Sequence, residues 1–284
     1  MDSNRNAIFR TELKRKQSEI WEAHDSQRTA ELFHFTSPQA FRGIIENHEL
    51  WCTDVRYVND EREGDHGMSI VQSVVRRKSV YKTLRNAVLN SSSLFGLKDN
   101  WTSYISCFCS AGEQMHMWQN YANGGTGCAL VFDYRALCDD ENGGKLYAFF
   151  RVLYDEQEQI RQVERTVDHA IQLERSLDIS GRQRREAFWT EVVFALMTCA
   201  VRFKNPKWSR EEEVRLWVAG GPDVTPFEAG GKPRVRVGIQ TASLKRVVRG
   251  PSAGDNLSIE RIERLLNEHN FGNVPVRESG TTVT

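Results

Sequence analysis

Residues 208–218 read Trp-Ser-Arg-Glu-Glu-Glu-Val-Arg-Leu-Trp-Val, and this stretch indicates both a strand and a candidate site. Its acids lead directly into an apolar run that alternates as a β-strand does, with successive side chains on opposite faces. On such a strand Glu211, Glu213 and Arg215 share one face. Two carboxylates beside one guanidinium can acquire unequal pKa values and stabilise positive charge in a substrate. A solvated edge strand with a surface ion pair would have the same pattern, so the stretch alone leaves both interpretations open.

Strand-like and helix-like segments follow each other along the chain without a regular β-α-β alternation. This mixture predicts an α+β fold around a mixed or mostly antiparallel sheet, with helical insertions. Helices are predicted at residues 39–47, 60–88 with a break near 65–67, 113–122, 156–203 with a break at 180–181, and 258–269. Strands are predicted at residues 31–38, 50–53, 101–110, 128–133, 146–154, 213–218, 235–239, 244–248 and 274–277. We expect a helical extension at residues 1–30, then one domain over residues 31–284 with a helical insertion near residues 156–203.

The composition excludes several classes of protein. The formal net charge of the 284 residues is zero, so no bulk basic excess drives binding to nucleic acid or to a membrane. No apolar run reaches the length of a membrane span, and the polar N-terminus lacks a secretory signal. The six cysteines fit no zinc spacing, which predicts small buried thiols in a reducing cytoplasm and no bound metal. They are Cys52, Cys107, Cys109, Cys128, Cys138 and Cys199.

A polar pair lies on the first predicted strand. His34 and Thr36 alternate with phenylalanines, so both side chains point away from the aromatic side. Two such groups could bond to a ribose or an amide. A histidine in this setting is also common as a structural residue with a satisfied hydrogen bond.

A cluster of acids follows Tyr57. Its carboxylates and one imidazole could bind magnesium or manganese, which would suit a metal-dependent nuclease. The residues of that alternative are Asp60, Glu63, Asp65 and His66. The spacing of Asp60 and Glu63 also fits a capping box at the start of a helix, which explains the acids without a metal.

An aromatic pair precedes a glycine-rich turn in the middle of the chain. Trp118 and Tyr121 lie three residues apart and therefore on one face of the predicted helix. Aromatic rings in this position can stack on nicotinamide or on a base. They can equally cover the core, and the glycines at 124, 125 and 127 form neither a dinucleotide-binding motif nor a P-loop.

Taken in order, these segments resemble a widespread bacterial family of unknown function, from Leu32 to the C-terminal residues. The matching elements are His34-x-Thr36, Leu50-Trp-x-Thr53, Tyr57-x-Asn-Asp-x-x-Glu63, Ser106-x-Phe108, Met117-Trp-x-x-Tyr-Ala122 and Glu211-x-Glu213-x-Arg215.

The same layout resembles the ADP-ribosyltransferase-like superfamily. In that resemblance His34 and Thr36 correspond to an H-x-[ST] element, and Glu213, preceded by Glu211, corresponds to a late glutamate. Phe35 stands where the superfamily commonly has glycine. The central aromatic has more than one candidate, and the implied NAD-binding residues are His34, Thr36, Tyr57, Asn59, Trp118, Tyr121 and Arg215.

The resemblance implies an ADP-ribosyltransferase or NAD glycohydrolase that consumes NAD as its substrate. Glu213 would stabilise charge on the ribose, and Glu211 would activate the acceptor, a protein, a nucleic acid or water. The implied role is a cytoplasmic bacterial toxin or phage-defence effector with an antitoxin or defence-system partner and no membrane contact. An alternative from another class is a non-catalytic nucleotide or nucleic-acid binding module that uses the basic stretches Arg182–Arg185 and Arg234–Arg249.

Overall fold

The structure is a computed structural model that describes residues 30–58, 63–78, 80–90, 102–138, 147–177, 179, 181–220 and 224–281. These residues form a mixture of helices and strands around a mixed sheet, so the predicted α+β class is confirmed. The strands are β1 Glu31–Thr36, β2 Glu49–Asp54, β3 Ser103–Cys109, β4 Cys128–Asp133, β5 Tyr147–Arg151, β6 Glu213–Ala219, β7 Phe227–Ala229, β8 Lys232–Gly238, β9 Leu244–Arg249 and β10 Val276–Glu278. The helices are α1 Pro38–Asn47, α2 Glu63–Arg77, α3 Lys82–Leu89, α4 Met115–Tyr121, α5 Tyr134–Cys138, α6 Glu156–Ser176, α7 Arg182–Arg202 and α8 Ile259–Glu268.

The contacts between residues divide the chain into two compact units. The helical unit comprises residues 1–27, 55–102 and 151–209, and the sheet unit comprises residues 28–54, 103–150 and 210–284. The expected N-terminal helix at residues 1–30 lies almost wholly outside the described residues. The expectation of one domain over residues 31–284 stays a prediction.

The described strands form one sheet whose main path runs β10-β9-β4-β1-β3-β2-β8-β7, and β6 pairs with β3 and with β5. Strand β9 pairs with β10 in parallel, whereas the pairings β1–β3, β1–β4, β2–β3, β2–β8, β3–β6, β4–β9 and β7–β8 are antiparallel. Strand β3 pairs with β6 along its whole length, from Ser103 to Cys109. Its other edge is shared, because β1 pairs with Cys109 while β2 pairs with Tyr104 and Ile105. This branching places β1, β3 and β6 side by side.

The two faces of the sheet carry different cores. One face, here called the core face, is apolar and has its centre at Leu32, Phe108, Leu130 and Val214. The opposite face is covered by helix α4 and contains the aromatic side chains of β1 and the aliphatic side chains of β4. We call it the carboxylate face, because Phe33 is paired with Cys109 and Cys109 with Glu213. Directly paired residues of antiparallel strands project to the same side of a sheet.

One residue separates the end of β1 from the start of helix α1, and the local sequence explains why. The Ser37 hydroxyl accepts a hydrogen bond from the Ala40 backbone N–H at 3.2 Å, and Pro38 occupies the first turn, where its missing N–H costs nothing. The helix ends at His48, which adopts a left-handed conformation with φ of 54°. Its buried residues Phe41 and Ile45 pack into the core face.

The helical unit is built from α2, α3, α6 and α7. The predicted break at residues 180–181 is confirmed, since Gly181 with φ of 86° precedes α7. The break expected near residues 65–67 is wrong, because α2 continues through Gly67 and ends only at Arg77. Gly67 is needed for a close contact rather than for a turn. A Cβ atom there would lie 2.3 Å from the Ala200 carbonyl oxygen of α7.

The five cysteines whose side chains the structure describes are free thiols, and most of them are buried as expected; the side chain of Cys138 lies outside the described part. Burial raises the pKa of Cys128 to about 12, which makes this thiol inert at neutral pH. Cys107 is exposed, so the expectation of uniformly buried thiols is wrong at this position. The cause is its place on β3, where it projects to the carboxylate face beyond the cover of α4.

None of the helices in the described parts of the chain combines the length and the hydropathy that crossing a bilayer requires.

Candidate functional site

A buried ion pair lies at the start of β6. The Arg215 Nε donates to Glu213 Oε1 at 2.8 Å, and Arg215 Nη2 donates to Glu213 Oε2 at 3.1 Å. Side-chain exposure is only 4% for Arg215 and 5% for Glu213. The two residues are neighbours on the carboxylate face, while Val214 and Leu216 project into the core face. The alternation predicted for Glu213 and Arg215 is therefore present, and the pair is not the solvated surface pair of the alternative interpretation.

Glu211 reaches the same neighbourhood by a different route from the one expected. It is the last residue of a 3₁₀ helix, Pro206–Glu211, so strand alternation does not apply to it. Glu212 then turns the chain with φ of 41° and is exposed. The Glu212 carbonyl accepts from the Ser110 backbone N–H at 3.0 Å and from the Ser110 hydroxyl at 2.9 Å. These two bonds fix the turn that separates the carboxylates.

Helix α4 supplies a tyrosine to this cluster. The Tyr121 hydroxyl donates to Glu211 Oε1 at 2.6 Å, although 90 residues separate them. Glu211 is 4% exposed. The helix is fixed in place by Trp118, which is fully buried and meets the Phe35 ring edge-on at 4.9 Å between centroids. Trp118 is thus a core residue, whereas Tyr121 contacts the acids.

Burial controls the electrostatics of this cluster. Desolvation lowers the pKa of Arg215 to about 9, so its guanidinium is still protonated at neutral pH and can pair with a carboxylate. The neighbouring Cys109 thiol has its pKa raised to about 11, first by burial and further by the charges of Glu212 and Glu211. The cluster therefore concentrates negative charge in a region of low dielectric constant, where charge interactions are stronger than in water.

The structure does not bring His34 and Thr36 to this face. His34 is paired with Leu130, and both project into the core face, where the His34 ring lies 5.3 Å from the Phe108 ring. Its Nδ1 is 2.9 Å from the Cys107 carbonyl oxygen. Burial lowers the pKa of His34, and the hydrogen bond to that carbonyl opposes the shift. Thr36 is buried on the same side.

The other predicted residues lie outside the sheet unit. Tyr57 belongs to the helical unit and is 41% exposed, with the Arg56 guanidinium 6.0 Å from its ring centroid. Asn59 lies outside the described residues, as do Asp60 and the side chain of Glu63.

The remaining members of the nuclease alternative are His66 and Asp65. His66 Nε2 is 3.0 Å from Gln159 Oε1, and Asp65 is exposed. In the part of the chain that the structure describes, no group of three or more histidine, cysteine, aspartate or glutamate side chains is arranged to hold a metal ion.

A comparison with protein-family models gives a match over part of the chain. A family model described as "Protein of unknown function (DUF2971)" matches residues 117–216. The matched stretch contains Tyr121, Glu211, Glu213 and Arg215, and it does not contain His34. No curated protein and no solved structure matches this chain.

Two further residues hold the backbone around Glu211, Glu213 and Tyr121 in place, and no sequence pattern indicated them. Ser110 fixes the turn at Glu212, as described above. Glu113 lies two residues before α4, and its Oε2 accepts from the Ser279 hydroxyl at 2.6 Å and from the Gly280 N–H at 3.0 Å. Glu113 thereby ties the C-terminal residues to the start of the helix that carries Tyr121. Both contacts join residues more than 100 positions apart, so no local pattern could have indicated them.

Proposed function

We propose that this chain cleaves the nicotinamide–ribose bond of NAD, as an NAD glycohydrolase or an ADP-ribosyltransferase. One observation carries the proposal. The buried carboxylate of Glu213 begins β6 and is held by Arg215, and the buried carboxylate of Glu211, two residues before it, is held by Tyr121. The resemblance in the order of segments along the chain gives the substrate class.

The reaction requires charge stabilisation at the ribose. Nicotinamide leaves with the electron pair of the broken bond, and positive charge builds on the anomeric carbon and the ring oxygen. A fixed carboxylate in a dry site stabilises such an oxocarbenium-like state, as in glycoside hydrolysis. We assign this role to Glu213, since the bidentate contact with Arg215 keeps it ionised and fixed in place.

The second carboxylate suits proton transfer. Water or an acceptor hydroxyl or amine must lose a proton as it attacks the anomeric carbon, and Glu211 is the group assigned to accept it. The Tyr121 hydroxyl orients Glu211. Of the proposed aromatic residues, Tyr121 is the one in contact with the acids. The proposal assigns no role to His34, which belongs to the other face of the sheet.

Substrate access is a consequence of this assignment. Glu211, Glu213 and Arg215 are each at most 5% exposed, so NAD could reach them only after a rearrangement that exposes the cluster. The proposal also includes an acceptor that is a protein or a nucleic acid. It further includes a cytoplasmic location, a role as toxin or phage-defence effector, and an antitoxin or defence-system partner.

The deciding experiment is incubation of the purified full-length protein with NAD labelled in the adenine moiety, with and without cell lysate. Release of free nicotinamide with ADP-ribose indicates hydrolysis, and label on a macromolecule indicates transfer. Glu213→Gln should lower nicotinamide release by about 100-fold or more, as loss of a preorganised charge-stabilising group does.

The matched control is Glu46→Gln, an exposed glutamate of α1 that pairs with Arg42 at 2.7 Å. It should leave nicotinamide release unchanged. A Glu213→Gln protein that folds normally and retains full turnover of NAD would remove Glu213 from the mechanism.

A second candidate function is a nucleotide-binding module without catalysis. It is favoured by the contact of both Glu213 carboxylate oxygens with Arg215, which suits a structural role. Saturable binding of NAD without any nicotinamide release would favour this candidate.

A further inference from the structure

An aromatic and cationic surface lies at the other end of the sheet, on strands β2, β7 and β8. The side chains of one face of these strands alternate with buried residues such as Leu50, Val235 and Val237, which project into the core face. The outward residues, here called the arginine–aromatic surface, are Glu49, Trp51, Thr53, Phe227, Lys232, Arg234 and Arg236.

One aromatic side chain of this surface is unusually accessible, and the other is half-buried. Trp51 is 41% exposed, although a large apolar side chain gains stability from burial. Its ring meets Phe227 edge-on, with 5.0 Å between centroids. Strand β2 thus presents a tryptophan to solvent beside the short last strand of the sheet path.

An arginine guanidinium lies over each of the two rings. The Arg234 Cζ lies 5.5 Å from the Trp51 centroid, and the Arg236 Cζ lies 3.9 Å from the Phe227 centroid. A guanidinium over a ring face keeps its in-plane N–H groups directed outward, where they can bond to phosphate. The Arg234 Nε is buried and has no hydrogen-bond partner among the residues that the structure describes.

The charge of the surface is predominantly positive. Lys232, Arg234 and Arg236 supply three cations, and Glu49 is the acid on the same face. Glu49 reaches Arg236 at 3.4 Å, while the Arg236 side chain remains 52% exposed. An exposed pair of this kind contributes little stability, so the ion pair does not account for the arrangement.

We propose that the arginine–aromatic surface binds single-stranded nucleic acid. Flat rings accessible from solvent stack on unpaired bases, and the adjacent guanidinium and ammonium groups bind the phosphates. A duplex keeps its bases stacked inside and would use only the cations. The surface does not include Glu211 or Glu213, so the inference stands independently of NAD cleavage.

The experiment is fluorescence anisotropy of a labelled single strand of about 12 nucleotides, within the ~4–16 nucleotides typical of such surfaces. DNA and RNA of the same sequence are tested separately, together with the matching duplex. Trp51→Ala should weaken binding of the single strand by about 5- to 150-fold, the range for stacking of one base. Trp51→Phe should retain most of the binding.

The contribution of the cations to binding is tested by measuring how affinity depends on salt concentration. Arg236→Gln should reduce the slope of log affinity against log salt by about 0.7, the value for one phosphate contact of a single strand. The control is Arg42→Gln on α1, an arginine with 68% side-chain exposure that also pairs with a glutamate. It should change neither affinity nor slope.

Three results would overturn the inference. They are no binding of the single strand at low salt, binding that Trp51→Ala and Arg236→Gln both leave intact, and a duplex bound as tightly as the single strand. A further result would also overturn it. If heparin displaces the single strand equally well from Trp51→Ala and from the unaltered protein, the surface binds through its cations alone. Circular dichroism of each variant confirms that a loss of binding is not a loss of fold.

Discussion

The stability of the sheet unit depends on both members of the buried Glu213–Arg215 pair. Removing two charges from water is costly, and their attraction offsets that cost only while both are present. Arg215→Met should therefore lower the free energy of unfolding by about 3–5 kcal/mol, because it leaves Glu213 buried without its partner. Urea denaturation followed by tryptophan fluorescence measures this change.

The matched control is the double variant Arg215→Met with Glu213→Leu. It replaces the pair by apolar side chains and should recover most of the lost stability. If the double variant is as unstable as Arg215→Met alone, the packing of Arg215 rather than its charge is the important contribution.

His34 gives the protein a pH-dependent stability. Burial lowers its pKa in the folded chain below the ordinary value of 6.5, so the unfolded chain binds the proton more readily. The contribution of neutral His34 to stability is fully present above pH 6.5 and is lost as the pH falls from 6.5 through the folded-state pKa. His34→Gln should flatten this part of the curve in urea denaturation at a series of pH values. Parallel curves for both proteins would contradict the assignment.

At the scale of elements, the crossing of α2 and α7 depends on one glycine. A Cβ atom on Gly67 would meet the Ala200 carbonyl oxygen at 2.3 Å, and backbone atoms cannot move aside cheaply. Gly67→Ala should lower the free energy of unfolding by about 1–3 kcal/mol, as overpacking does. Thermal unfolding followed by circular dichroism at a helix band detects the loss.

Gly43 in α1 provides the opposite case. Within the described part of the chain, no atom lies within 4 Å of the place that a Cβ would take, so Gly43→Ala should raise stability by about 0.5–1 kcal/mol through helix propensity alone. A neutral Gly67→Ala, or a destabilising Gly43→Ala, would mean that the helices pack differently from the structure.

The sequence patterns predicted the positions of most helices and strands, but not which strands pair. The apolar pattern of the sequence located β4 and most of β6, whose residues are buried on both faces, and the side-chain period of two assigned alternate residues to one face. It did not identify β7, which has three residues, or the helix at Tyr134–Cys138. The shared face of Glu213 and Arg215 was predictable for the same local reason.

The rest of the site was not predictable, since it depends on distant contacts. The left-handed turn at Glu212 interrupts the strand pattern on which the placement of Glu211 was based. The Tyr121–Glu211 bond joins residues 90 positions apart. The position of His34 on the opposite face follows from the register of β1 with β3 and of β3 with β6, which no single segment encodes.

On the scale of the whole molecule, neither unit is a continuous stretch of chain. The sheet unit is assembled from residues 28–54, 103–150 and 210–284, and the helical unit contributes the segments between them. The sheet therefore depends on pairings between residues far apart in sequence, such as Glu31 with Asp133. Folds dominated by such pairings form more slowly than folds with local contacts.

The pairing of Asp54 with Tyr104 has a consequence for how such a protein can vary. The chain leaves the sheet at Asp54 and returns beside it, so residues 55–102 are topologically the loop of a β-hairpin, even though their described part includes helices α2 and α3. The entropic cost of closing a loop rises by only about 0.6 kcal/mol for each doubling of its length. Descendants of one ancestral sheet can therefore gain, lengthen or lose this segment while keeping the register of β2 and β3. Its length is a poor marker of relatedness, and the strands on either side of it are the part to compare.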